Sequence, residues 1–83
     1  MDHTLAYLRE ILSNYTDRNS LSQHIYKKIQ KHSYQSEGEF VRDLSEEEVD
    51  FLNRILPEEI NHAKEANDDK RAYQLNEVYE LLL

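Results

Sequence analysis

The sequence predicts an all-α fold, a small bundle of three to five helices whose C-terminal half is a helical hairpin or a proline-kinked long helix. Three observations carry this. Apolar residues recur at steps of three and four along most of the chain. Ser-x-x-Glu and Ser-x-x-Gln boxes stand ahead of those stripes, where helices begin. One glycine and one proline in 83 residues leave little of the turn punctuation that a β-rich architecture needs.

In the first segment Leu5, Leu8, Leu12 and Tyr15 line one face with Ile11 beside them, and Asp2 or Thr4 is placed to cap it. Residues 13–20 are rich in turn formers and end it. Ser20 with Gln23 forms a capping box for a second helix, with Leu21, Ile25 and Ile29 on its face. Lys27, Lys28 and Lys31 near its end suit the negative pole of a helix. A second box, Ser36 with Glu39, opens one or two turns containing Phe40, Val41 and Leu44, with Gly38 weakening them. The third box, Ser45 with Glu48, is flanked by Leu44 and Val49 in the positions of a hydrophobic staple. Val49, Leu52, Ile55 and Leu56 follow. Pro57 then predicts a kink or a tight restart, since an interior proline removes a hydrogen bond and crowds the previous turn. Asn67-Asp68-Asp69 is the next break, and Leu75, Val78, Tyr79 and Leu82 form the last stripe. One helix or two from Pro57 to Leu82 both fit the pattern.

A chain of 83 residues makes one domain with a thin core. Residues 1–36 form a mildly basic helix pair and residues 37–83 an acidic hairpin. Cysteine is absent, so neither disulfides nor thiolate metal sites hold it together. The N-terminus lacks the basic and apolar regions of a secretory signal. The longest apolar run, Leu81-Leu82-Leu83, is far too short for a membrane span. These features predict a cytoplasmic protein with no membrane partner. Acidic residues number 17 and basic residues 10, for a net charge of −7. Residues 1–36 carry +2 and residues 37–83 carry −9. A polyanion is repelled by such a surface, which argues against nucleic acid as a partner. The lysine-bearing second helix resembles a DNA-reading helix only until its surroundings are counted. The stretch after it, residues 32–45, is too long for the turn of a helix-turn-helix.

Among chemical motifs, Glu59-Ile60-Asn61-His62 has the i,i+3 spacing with which ferritin-like bundles aim a carboxylate and an imidazole at one metal. A dimer supplies the second motif such a site requires, with Glu10 or Glu80 as the further carboxylate. One motif among this many glutamates is also what chance provides, so no metal and no cofactor are assigned. The serines sit at caps and turns and there is no nucleophile elbow, so the chain is not read as an enzyme.

Six tyrosines with two Phe and no Trp are the most suggestive feature. Tyr7, Tyr26, Tyr34 and Tyr73 fall off or beside the apolar stripes, where tyrosine is suited to contact surfaces. Glu46, Glu47, Glu58 and Glu59 add an acidic face suited to a basic one, on a protein partner or on the Lys27–Lys31 helix of a second copy. The reading is a non-catalytic protein–protein interaction module, a small cytosolic regulator of a larger partner. The alternatives are a dimeric metal-binding helical protein using Glu59 and His62, and a self-assembling structural subunit.

Overall fold

The apolar stripes become the buried faces of five helices in the computed structural model, which describes residues 3–15, 17 and 19–82. They are α1 (His3–Ser13), α2 (Ser20–Lys31), α3 (Glu37–Arg42), α4 (Glu46–Glu65) and α5 (Asp69–Leu82). The α4–α5 hairpin is the most extensively packed pair. The α1–α2 pair lies across it, with α1 against α5 and α2 against α4, and α3 sits on α5. The described residues span 30 × 29 × 22 Å. Leu5, Leu8 and Leu12 of α1, Ile25 of α2, Phe40 of α3, Leu52 and Leu56 of α4, and Leu75 and Val78 of α5 are completely buried together.

Helix starts follow local chemistry, with one shift. The cap expected at Asp2 or Thr4 rests on side chains outside the described residues. For α2 the cap is Asn19 rather than Ser20. Asn19 takes the extended backbone of a cap, and its side-chain oxygen accepts from Leu21 N and Ser22 N at 2.8 and 3.2 Å. Ser36 caps α3, and Ser45 caps α4 with the complete reciprocal box to Glu48. Leu44 and Val49 both pack against the core beneath that start.

Of the kink or tight restart expected at Pro57, the restart does not occur. α4 runs through it for 20 residues. Pro57 is exposed, so its ring faces water, and the packed side of the helix (Leu52, Ile55, Leu56, Ile60, Ala63) continues past it. The cost is the hydrogen bond that Asn53 O cannot receive. The chain breaks instead at Asn67, whose φ is +59°. Asn67 N donates to Lys64 O at 3.0 Å and Asp68 N to Ala63 O at 2.8 Å, the paired bonds of a Schellman termination. Asp68 then caps α5, accepting from Arg71 N at 3.2 Å. Two adjacent residues thus end one helix and begin the next.

Candidate functional site

Two polar clusters join the helices. The first lies on the seam of α1, α4 and α5. Tyr15, just past the end of α1, stands edge-on to Phe51 at 6.0 Å, and its hydroxyl donates to Glu59 Oε2 at 3.2 Å. The same oxygen lies 3.7 Å from His62 Nδ1. Arg71, on the first turn of α5, holds Glu10 at 3.0 Å, lies 3.4 Å from Asp68, and places its guanidinium 5.4 Å from the Tyr7 ring centre. Glu59, His62, Asp68 and Arg71 border one shallow depression.

The second cluster joins α2 to the linker between α3 and α4. Lys28 Nζ donates to Asp43 O and to Glu48 Oε1, both at 2.7 Å. Glu48 is only 3% exposed. Its Oε1 also accepts from Ser45 N at 2.8 Å. Burial favours its neutral form, but the hydrogen bonds from Lys28 and Ser45 outweigh this and hold the carboxyl below its usual range. Tyr34 OH donates to Asp43 Oδ2 at 2.6 Å. That bond holds the Asp43 carboxyl below its usual range. Burial, then the bond to Asp43, pushes the Tyr34 phenol above its own.

The residues expected to form a partner surface separate in the structure. Tyr34 is 5% exposed and belongs to the core, packed edge-on against Phe40 at 5.4 Å, so its place among the surface tyrosines is corrected. Tyr7 and Tyr26 are half-buried against the core. Tyr73 stays out at 65% exposure, its phenol raised by a hydrogen bond to Glu77. Glu46 and Glu47 are exposed at the start of α4. Glu58 and half-buried Glu59 lie about 18 Å further along the same helix, so the four acids make two patches. The acidic start of α4 does meet a lysine of α2, but that lysine is Lys28 of the same chain.

Glu59 Oε2 lies 3.7 Å from His62 Nδ1, and Tyr15 donates to the same carboxylate oxygen. Among the described residues no group of three or more His, Cys, Asp or Glu is placed to hold a metal. Glu10 is engaged by Arg71, and Glu80 accepts from Asn76 at 2.7 Å. Of the terminal leucines, Leu82 is buried, Leu81 is exposed and Leu83 lies outside the described residues. Sequence reasoning missed Lys28, Arg71 and Ser22.

The family model described as CsgA, minor curli fiber component A, matches residues 1–83. A Bacillus subtilis (strain 168) protein named Sigma-G-dependent sporulation-specific SASP protein is 53% identical over 83 residues, covering 100% of both chains. No solved structure matches. These similarities overturn the reading as a small cytosolic regulator that binds a larger partner. The similar chains are named for sporulation and for a fibre, and neither name is that of a regulator or an enzyme. The exclusion of nucleic acid is also overturned by the full-length likeness to a SASP protein. That exclusion rests on net charge, which averages over the molecule, whereas Lys27 and Lys31 stand exposed on α2. No helix of the described residues is long and apolar enough to cross a membrane.

Proposed function

The chain belongs to the family described as CsgA, minor curli fiber component A, and from that premise we propose that it is a non-catalytic protein specific to sporulation. It is produced under sigma-G control and kept in the cytoplasm of the developing spore as one helical domain. The observation that carries this is the 53% identity running the full length of both chains. The family description points to a fibre and the relative's name to the spore. Both matches run the full length of the chain, and the second is preferred because it is a single protein aligned at 53% identity. The surface agrees with a role without chemistry, since the depression lined by His32, Tyr34, Glu39, Arg42 and Asp43 is open to solvent rather than enclosed.

The test is an immunoblot across a sporulation time course, in a wild-type strain and in one lacking sigma G. The protein is expected only in sporulating wild-type cells. Equal amounts in growing cells, or in the strain lacking sigma G, would end the reading.

A second reading, contact with nucleic acid, is favoured by the exposed edge of α2 that carries Lys27 and Lys31. Two lysine–phosphate contacts imply weak binding whose log–log salt slope is about −1.8. Fluorescence anisotropy on duplex DNA at low salt checks it, with Lys27→Gln and Lys31→Gln together expected to abolish the signal. Binding that survives both changes places the contact elsewhere.

A further inference from the structure

We propose that the chain binds a second copy of itself head to tail. The Tyr73–Leu81 face of α5 seats on the exposed edge of α2 in the next copy, and the Tyr73 ring enters the hollow beside Tyr26 and Lys27.

The inserting face is acidic around an apolar centre. Tyr73 and Leu81 are the exposed large hydrophobic residues among those described, at 65% and 49%. Tyr73, Glu77 and Leu81 follow one another at i,i+4 on α5 and so share a face. Glu80 of α5 and Glu37 of α3 border the same shallow depression. Glu77 accepts from the Tyr73 hydroxyl and Glu80 from Asn76, both neutral donors. None of Glu37, Glu77 and Glu80 has an ion pair among the described residues. Two apolar side chains are thus ringed by three carboxylates without a cation.

The receiving face has the opposite sign. α2 carries three lysines and no acidic residue. Lys28 is taken by Glu48 of its own chain, whereas Lys27 and Lys31 stand exposed with no ion pair among the described residues. Beside Lys27 a hollow of about 380 Å³ lies between the end of α1 and α2, lined by Ser13, Asp17, Gln23, Tyr26, Lys27 and Gln30. Pockets of roughly 300–1,000 Å³ take whole small molecules, so this one admits a single phenol ring. Tyr26 gives it an aromatic wall, and Asp17 an acceptor for the phenol.

Spacing matches as well as sign. Lys27 and Lys31 are one helical turn apart, as are Glu77 and Glu80, each pair separated by about 5–6 Å. Within one chain the faces do not meet, since Tyr73 faces solvent and neither lysine has a carboxylate partner among the described residues. A contact between two different faces is heterologous. Every added copy leaves one face of each kind open, so copies add in a row until a ring closes. Two inserted side chains and exposed ion pairs make a small interface of the weak, transient class.

The experiment is sedimentation equilibrium on the full chain, freed of nucleic acid because the same lysines serve that reading. At about 50 mM salt the average mass is expected to rise with protein concentration up to about 1 mM, and association to weaken about tenfold or more at about 500 mM. Tyr73→Ala with Leu81→Ser removes the inserting face, and Lys27→Glu with Lys31→Glu removes the receiving one. Each double variant alone should stay monomeric, and the two mixed should form a one-to-one pair through the single remaining contact. A parent that stays monomeric, a variant that associates as strongly as the parent, or a mixture that does not pair overturns the proposal. A readout on the unmodified chain accompanies these. In NMR spectra of a concentration series, amide shifts should move on both the α2 edge and the α5 face. Movement of one face alone indicates a symmetric contact and overturns it.

Discussion

The hydroxyl of Ser22 donates to the carbonyl of Leu12 at 2.9 Å, at a site with no solvent exposure. A residue that sequence alone places at a helix start is thereby a tie between α1 and α2. Leu12 O also accepts from Tyr15 N at 2.9 Å, so losing the hydroxyl does not orphan it. Ser22→Ala should cost about 1 kcal/mol, the net worth of one buried hydrogen bond. For a chain of this size that is a fall of about 4–8 °C in Tm by calorimetry. An unchanged Tm would show that the bond contributes nothing net.

Pro57 sits mid-helix on the solvent side of α4. Interior proline costs roughly 3 kcal/mol, of which about 1 is regained because proline stiffens the unfolded chain. Pro57→Ala is therefore expected to stabilise the protein by about 1–2 kcal/mol, read as a higher urea midpoint with unchanged slope. Destabilisation would mean that the bundle depends on the shape proline gives α4.

Asn67 occupies left-handed backbone at the end of α4. Asparagine and glycine tolerate that region, whereas other residues pay about 1–2 kcal/mol. Asn67→Ala should destabilise by about 1 kcal/mol and Asn67→Gly should not. Equal melting curves for the two variants would remove the backbone as the reason for asparagine there.

Alkaline stability should depend on Tyr34. Its phenol is raised from the ordinary value of 10.0 by burial and by the bond to Asp43. The folded state thus retains a proton that the unfolded chain releases. Stability from this group is whole below about pH 10 and declines as pH rises further. Comparing urea unfolding at pH 8 and about pH 10.5, Tyr34→Phe should lose less stability than the parent. Equal losses would show that Tyr34 does not set the alkaline limit.

The caps at Ser36 and Ser45, the apolar stripes and the break before Asp69 were all legible, because each depends on residues within one turn of another. What was not legible depends on orientation. Asn19 and Ser20 are both good caps in isolation, and the fold uses Asn19, whose side chain accepts from Leu21 N and Ser22 N. Three lysines on α2 look alike until α4 packs against it and selects Lys28 for the buried Glu48. Tyr34 has no periodic neighbours to mark it as core, since it lies between helices. At Pro57 the sequence left a kink or a restart open, and packing of the opposite face, which carries α4 through for 20 residues, decides against the restart. Of the candidate site residues, Glu59 and His62 do meet, but by pairing with each other.

The adjacency of helix partners also bears on the order of assembly. α1 meets α2 and α4 meets α5 across short turns, while α1 reaches α5 from the other end of the chain. Closing a short loop costs less entropy than closing a long one. The α4–α5 hairpin, set by Asn67 and Asp68, is therefore the expected nucleus, with α1 docking after the barrier. In stopped-flow kinetics Leu75→Ala should slow folding, whereas Leu8→Ala should chiefly speed unfolding; the opposite pattern would place α1 in the nucleus.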